Sequence, residues 1–206
     1  AFRDHTSTML GIPVSRVKII PMEIGGGFGG KGMGGLYLEP VAAILSKKTG
    51  AAVKIVLSRT EVFEGTGPAS GTHIRVKMGA TRDGKLLAAD ATLTYEAGAF
   101  PGSPVAGASR TMLAPYVIPN AHVEGLDVVT NVQKASAYRA PGSPASAFAA
   151  ETVIDELSEK LGIDPIEFRL QNAAKEGTRQ PGGGPVYRRI GLVETLDAAK
   201  SHPHYS

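Results

Sequence analysis

The residues with the clearest chemical potential lie in segment 25–31, which reads GGGFGGK and holds five glycines around one phenylalanine. A tight turn needs only one or two glycines, so this many indicates a place where the backbone comes close to a ligand. Successive N–H groups that point into one concavity bind anions, particularly where a helix begins just afterwards. The segment therefore predicts a cradle for a cofactor or a phosphate, with Lys31 at its lip.

Two common phosphate-binding motifs fit this glycine loop only in part. The G-x-G-x-x-G spacing within 25–30 matches the dinucleotide fingerprint, which needs a carboxylate roughly 20 residues later, but no acid stands between Glu39 and Glu61. Lys31 also completes the phosphate loop of nucleotide hydrolases, but the next residue must be Ser or Thr to ligate magnesium, and it is Gly32. A non-catalytic nucleotide- or anion-binding module that uses the same backbone remains as an alternative.

A second candidate is Arg139, in the loop 137–142 that reads AYRAPG. The guanidinium group presents a fixed fork of donors that suits a phosphate or an oxo-anion, so this loop predicts an anion clamp. The plain alternatives are that Arg139 makes a surface salt bridge, that Phe28 fills a core and that Lys31 is a solvated residue before a helix.

Both loops need elements that position them. Residues 17–21 predict a buried strand that leads into the glycine loop, and residues 36–49 predict the helix that follows it. Residues 52–57 predict another short buried strand. The sequence Ser58-x-x-Glu61 then predicts a capping box that opens a brief helix.

The second half of the chain predicts a hairpin and a helical segment. Residues 72–80 and 87–95 alternate apolar and polar side chains around a turn, and residues 121–132 predict a further strand. A long helix capped by Ser143 and a shorter one after it make up the helical segment 144–175. Hairpins mixed with helices predict an α+β fold, with a mixed sheet and packed helices, and not a doubly wound parallel sheet.

Three further predictions cover the segments around these elements. Residues 4–10 and the region around Leu196 each predict a short helix. The run 96–115 is rich in Gly, Ala, Ser and Pro and predicts a loop that lines or covers a site. Glu151 and Asp155 share one helix, where the simplest interpretation is a solvated face.

The composition excludes several classes of protein. The chain has 206 residues and no cysteine, which excludes a disulfide framework, a thiolate metal site and a cysteine nucleophile. A net charge of +3 is scattered along the chain, unlike the concentrated charge of nucleic-acid binders. No apolar run approaches the roughly 20 residues of a membrane span. The five histidines are too far apart to suggest a metal site. The chain is expected to be a cytoplasmic piece of a longer protein.

Several motifs together resemble one known family. The chain is similar to the molybdenum-binding large subunit of the xanthine dehydrogenase and aldehyde oxidase family, the molybdenum hydroxylases. The resemblance lies in GGGFGGK after an apolar segment and in AYRAPG about a hundred residues later. YVIPN at 116–120, FAAE at 148–151 and DPIEFR at 164–169 also look like that family. The resemblance covers nearly the whole chain, and it implies that residues 1–206 are one fragment of an α+β molybdenum-cofactor-binding domain.

The resemblance also implies a cofactor and the residues that contact it. The cofactor is molybdopterin with molybdenum, in bacteria often as the cytosine dinucleotide, and the pterin dithiolene rather than any side chain holds the metal. The residues at matching positions are Gly26, Gly27, Phe28, Gly29 and Arg139.

Two positions bear on the substrate and depart from some family members. Xanthine-oxidising members carry a glutamate where this chain has Gly32, and an aromatic residue where it has Pro141. Carbon monoxide dehydrogenases carry a cysteine where it has Ala140. Purines and carbon monoxide are therefore disfavoured, and the expected reaction is hydroxylation of an aldehyde or an N-heterocycle with oxygen from water.

The resemblance finally implies what this chain lacks and which partners it needs. The general base of the family lies in a part of the large subunit that these residues do not match, so no catalytic residue is assigned and the chain alone is expected to be inactive. The partners are the rest of the large subunit, iron–sulfur (2Fe-2S) and FAD subunits or domains, and a small-molecule substrate, with neither nucleic acid nor membrane.

Overall fold

The computed structural model describes residues 2–23, 25–32 and 37–205. The chain divides into two compact units, each built from three segments. Unit 1 comprises 1–70, 97–101 and 129–139, and unit 2 comprises 71–96, 102–128 and 140–206. Both the glycine loop and Arg139 fall within unit 1.

The strands form a sheet in the order β1-β2-β3. Their bounds are Thr72–Ala80 for β1, Leu86–Gly98 for β2 and Asn120–Val129 for β3. The antiparallel pairing of β1 with β2 confirms the predicted hairpin, because the alternation of its side chains fixes which face is buried. β3 ends three residues before the predicted strand 121–132 does.

Helices flank this sheet and occupy the N-terminal part of the chain. Their bounds are Phe2–Leu10 (α1), Leu38–Thr49 (α2), Arg59–Gly65 (α3), Val105–Thr111 (α4), Ser143–Leu161 (α5), Pro165–Asn172 (α6) and Leu192–Lys200 (α7). Two single-turn 3-10 helices lie at Val14–Arg16 and Pro181–Gly183. Strands and helices together confirm the predicted α+β class. Among the described residues, no helix has the length and apolarity needed to span a bilayer.

The core of unit 2 lies between the sheet and α4, α5 and α6. α5 packs against β1 and α4, and α6 packs against α5. The fully buried large side chains are Leu86, Leu93, Tyr95, Met112, Leu113, Ile154 and Phe168. Gly84 turns the hairpin with φ of 89°, and a Cβ there would lie 2.6 Å from Ile163 Cδ1, so glycine is needed at this turn.

The start of α5 differs from the prediction. Gly142, with φ of 82°, occupies the N-cap position, and Ser143 is the first helical residue. The Ser143 hydroxyl instead lies 2.9 Å from Thr111 Oγ1 on α4. A tertiary contact therefore takes the side chain that the sequence assigned to the cap.

The helix boundaries elsewhere agree in part with the sequence. Asp164 caps α6 by accepting the N–H groups of Ile166 and Glu167, as predicted, but the helix ends at Asn172 rather than near Lys175. The capping box at Ser58 is confirmed. α2 begins at Leu38, whereas the predicted start at 36 lies outside the described residues.

The two strands predicted in unit 1 are wrong. Segments 17–21 and 52–57 have no regular secondary structure, and within the described chain they make almost no backbone hydrogen bond. Both segments have β-branched apolar residues, but a strand also requires a hydrogen-bonded neighbour, which no described residue provides. The helix predicted for 36–49 follows the glycine loop, as expected, without a strand before it.

Candidate functional site

The glycine loop folds into consecutive tight turns. The N–H of Gly30 donates to the carbonyl oxygen of Gly27 at 3.1 Å, and the N–H of Gly32 donates to that of Gly29 at 3.1 Å. Phe28 and Gly29 both have positive φ, of 51° and 94°. A left-handed conformation costs free energy at phenylalanine, and such strain is concentrated at functional sites, where the surrounding structure maintains it.

A hydrogen bond joins the glycine loop to the arginine loop. The backbone N–H of Arg139 donates to the carbonyl oxygen of Phe28 at 2.8 Å. A Cβ at position 29 would lie 2.5 Å from the carbonyl oxygen of Ala137, so only glycine allows this approach. Two segments that are far apart in the sequence, and that were singled out separately, therefore lie side by side in unit 1.

Neighbouring backbone fixes the arginine loop from its other side. The N–H of Ser136 donates to the carbonyl oxygen of Pro68 at 2.9 Å, and the N–H of Ala135 donates to that of Ala97 at 2.9 Å. A Cβ at Gly67 would overlap the Ser136 side chain. These supports were not predicted from the sequence, because backbone contacts between distant segments leave little trace in residue type.

Several polar groups at this junction have no partner among the described residues. Within the described residues, the guanidinium of Arg139 makes no hydrogen bond or ion pair, and the N–H groups of Phe28 and Gly29 donate to no protein acceptor. Phe28 is 63% exposed, so it does not fill a core in this chain. Free N–H donors, one cation and one exposed ring on a constrained backbone fit a ligand that combines an anionic group with a flat ring.

The other predicted cofactor contacts lie in the same loop. A Cβ at Gly26 would overlap the Phe28 ring, whereas Gly27 has open space around its Cα. Lys31 is exposed, and Gly32 is half-buried at the end of the second turn. Residues 33–36 lie outside the described residues, so the expected helix start directly after the loop is not described.

Pro141 belongs to unit 2, where a tight turn holds it. Ala140 has φ of 53°, and its carbonyl oxygen accepts the N–H of Ser143 at 3.0 Å. The hydroxyl of Tyr95 donates to the carbonyl oxygen of Gly142 at 2.7 Å. A Cβ at Gly142 would lie 2.7 Å from the carbonyl oxygen of Pro104, so this end of the loop is also closely packed.

A polar network in unit 2 involves residues that the sequence analysis assigned to a solvated face. Arg169 donates to Glu151 Oε2 through Nε at 3.0 Å and Nη2 at 2.7 Å, and to Asp155 Oδ1 through Nη1 at 2.8 Å. The hydroxyl of buried Tyr116 donates to Glu151 Oε1 at 2.7 Å. Burial, and then the charge of Glu151, raise the pKa of Tyr116 above its ordinary value. The two carboxylates therefore tie α5 to α6 and are not merely solvated.

No side-chain metal site accompanies these groups. In the part of the chain that the structure describes, no group of three or more His, Asp or Glu side chains could hold a metal ion. Backbone donors, the Arg139 guanidinium and the Phe28 ring are described groups at this junction that could contact a cofactor.

Comparison with known proteins tests the resemblance that the motifs suggest. Residues 1–173 match the model of the molybdopterin cofactor-binding domain family. The chain is 34% identical over 201 residues to a nicotinate dehydrogenase large molybdopterin subunit of Eubacterium barkeri, covering 96% of the chain and 47% of that protein. It is 36% identical over 196 residues to a xanthine dehydrogenase molybdenum-binding subunit of Escherichia coli, and the match covers 93% of this chain and 26% of that protein. The aldehyde oxidoreductase structure from Desulfovibrio gigas superposes with a TM-score of 0.88 at 30% identity. The match covers 98% of this chain and 22% of that one.

These matches confirm the resemblance that the motifs suggested. The chain spans 26% to 47% of the length of the two relatives, so it corresponds to a part of each of them. Because the family model covers most of the chain and the relatives match nearly all of it, this chain belongs to the molybdopterin cofactor-binding domain family.

Proposed function

We propose that this chain is one part of the cofactor-binding domain in the large subunit of a molybdenum hydroxylase, an oxidoreductase. One observation carries the proposal: the hydrogen bond from the N–H of Arg139 to the carbonyl oxygen of Phe28 joins the two loops whose motifs mark this family. The free donors and the exposed ring at this junction suit an anionic pterin cofactor.

Each residue of the junction has a stated role in this proposal. The N–H groups of Phe28 and Gly29 donate to the cofactor, and the guanidinium of Arg139 binds an oxygen-bearing group. Gly26 leaves room for the Phe28 ring, and Gly27 leaves the backbone open to the cofactor. When bound, molybdopterin with molybdenum supplies the redox and oxygen-transfer chemistry, and these residues position it and balance its charge.

The substrate is proposed to be an aldehyde or an N-heterocycle, with Gly32 and Pro141 at the positions that bear on its choice. Neither residue offers a carboxylate or an aromatic ring, so neither favours a purine. The relatives include a nicotinate dehydrogenase and an aldehyde oxidoreductase, which supports both substrate classes without choosing between them.

The remaining machinery is proposed to lie outside this chain. No general base is assigned here, so we expect the rest of the large subunit to supply one. Electrons leave through 2Fe-2S and FAD partners, on other subunits or domains. The cofactor form is proposed to be the cytosine dinucleotide.

Arg139 gives the direct test of this function. In the intact large subunit, Arg139→Ala removes a charged donor worth about 1.5–3 kcal/mol, so we expect roughly tenfold less molybdenum per subunit. Arg139→Lys keeps the positive charge but not the forked set of guanidinium donors, and a molybdenum content between those of the wild type and Arg139→Ala is expected. Arg82→Ala, which removes another exposed arginine at the hairpin turn, is the control and should leave the molybdenum content unchanged. Full molybdenum content in Arg139→Ala would argue against the proposed clamp.

A titration separates this function from a non-catalytic nucleotide-binding module. The isolated chain, mixed with ATP, NAD or CTP, is expected to bind none of them tightly, because the proposed site needs the rest of the subunit. Tight stoichiometric binding of any one of these nucleotides would favour the binding module instead.

A further inference from the structure

Unit 1 buries far less apolar surface than unit 2. Among its described residues, the only buried side chains are those of Thr6, Pro40, Ala97 and Ala135. Large hydrophobic side chains are exposed instead, including Ile19, Ile20, Met22, Val41, Val56 and Phe63. Exposed apolar surface on this scale marks an interaction surface, because burial of such side chains normally offsets the conformational entropy lost on folding.

Two segments of unit 1 also leave their backbone unpaired. Within the described chain, residues 18–23 and 52–57 neither donate nor accept a backbone hydrogen bond. Val53, Ile55 and Leu57 are half-buried, while the residues between them are exposed, which is the two-residue period of a strand. Each segment therefore has the side-chain pattern or composition of a strand and lacks only a neighbour.

We propose that segments 17–22 and 52–57 each pair with a strand from the remainder of the same large subunit. Apolar side chains of those strands would cover Ile20, which is 62% exposed, and Val56, which is 73% exposed. This inference rests on the proposed function, since it takes this chain to be part of a large subunit. It explains why two correctly patterned segments are not strands in this chain.

The strands that pair with segments 17–22 and 52–57 are assigned to the same subunit because the relatives are longer than this chain. Two relatives match 96% and 93% of this chain, and they are two to four times longer, as the coverage of 47% and 26% implies. The region that matches this chain therefore lies within longer chains, which have further residues available to cover it. A second copy of this chain would instead leave further open edges, which promote uncontrolled association.

Hydrogen exchange of backbone amides tests the pairing. In the intact large subunit, those amides of residues 18–20, 22 and 53–57 that face the new strand are expected to exchange at least a hundredfold more slowly than in the 206-residue chain. Equal, fast exchange in both would overturn the proposal. Slow exchange in the 206-residue chain, with protection that rises as the chain concentration rises, would also overturn the proposal. A second copy of the chain would then be the occupant.

A substitution provides a second readout that does not require exchange data. Val56→Asp is expected to lower the melting temperature of the intact subunit while leaving that of the 206-residue chain unchanged. Val117→Asp, at a site in unit 2 that is 45% exposed, is the matched control and should affect both proteins equally. No difference between subunit and chain for Val56→Asp would contradict the pairing.

The molybdenum content of the same subunit preparation keeps this inference separate from the proposed function. Slow exchange in a subunit that holds no molybdenum, even when cofactor is supplied, would support the pairing and contradict the cofactor role. Fast exchange in a subunit that holds molybdenum would support the cofactor role and overturn the pairing.

Discussion

Single residues decide how closely the two loops approach, and Gly29 is the clearest case. A Cβ at position 29 would lie 2.5 Å from the carbonyl oxygen of Ala137, and φ is 94°. We therefore expect Gly29→Ala to push the loops apart and to reduce the molybdenum content of the intact subunit severalfold. Elemental analysis of the purified variant measures this.

Gly177→Ala is the matched control for Gly29→Ala. Gly177 has a similar φ of 82°, but no atom lies within 4 Å of a Cβ built there. Both variants share the cost of a left-handed alanine, but only Gly29 lies at the proposed cofactor junction and only its Cβ would clash with Ala137. Equal molybdenum contents in the two variants would show that the close approach of the loops is not needed.

Asn172 carries a prediction about stability. Its buried side chain accepts the N–H of Leu86 at 2.8 Å and donates to the carbonyl oxygens of Gly84 and Phe168, both at 2.8 Å. Asn172→Ala leaves buried backbone groups unpaired, so we expect the free energy of unfolding to fall by about 2–4 kcal/mol. Urea unfolding followed by circular dichroism measures it.

Asn120→Ala serves as the control for this substitution. The Asn120 side chain is exposed and donates to the carbonyl oxygen of Leu87 at 3.1 Å, so its loss should cost at most about 1 kcal/mol. A similar cost for both variants would show that burial of the Asn172 network contributes little.

The sequence predicted the residues of the junction better than the residues that support it. Phe28 and Arg139 stand in motifs of unusual composition, so they could be singled out before their contact was known. Asn172 and Tyr95 could not, because an asparagine or a tyrosine becomes a backbone anchor only through a distant partner. Ser143 was misassigned as a cap for the same reason.

At the level of elements, the network of Tyr116, Glu151 and Arg169 connects the segment before β3 with α5 and α6. The raised pKa of Tyr116 makes this connection sensitive to alkaline pH. Between the ordinary pKa of 10.0 and the higher folded value, the folded chain keeps a proton that the unfolded chain releases. The free energy of unfolding is therefore expected to fall as the pH rises above 10.0.

Tyr116→Phe tests this pH dependence. The variant is expected to lose less stability than the wild type between neutral and strongly alkaline pH, as measured by urea unfolding at each pH. Tyr138→Phe, which removes an exposed hydroxyl, should retain the wild-type slope. An unchanged slope in Tyr116→Phe would indicate that other groups cause the alkaline loss of stability.

Most elements whose partners lie nearby in the sequence were predicted correctly, although the helix α4 lies within the run 96–115, which was predicted as a loop. The two predicted strands that need a distant partner were wrong. The hairpin of β1 and β2 follows from alternation and a turn, both local signals. Segments 17–21 and 52–57 have equally strong local signals but find no neighbour among the described residues. The ion pairs of Glu151 and Asp155 with Arg169 were missed because they join two helices.

At the scale of the whole molecule, this chain holds the proposed cofactor junction without an assigned general base. The isolated 206-residue chain is therefore expected to show no aldehyde-dependent dye reduction, even when molybdopterin is supplied. A spectrophotometric assay with a panel of aldehydes and N-heterocycles measures this. Activity above that of an Arg139→Ala chain would mean that these residues include the base.

The molybdenum content of the intact large subunit, purified with its accompanying subunits, tests the central claim most directly. Elemental analysis is combined with identification of any nucleotide released by acid. Stoichiometric molybdenum with released CMP is expected, since Phe28, Gly29 and Arg139 are proposed to hold a molybdopterin cytosine dinucleotide. Absence of molybdenum after expression with ample cofactor would contradict the claim and would indicate that the glycine loop binds another ligand.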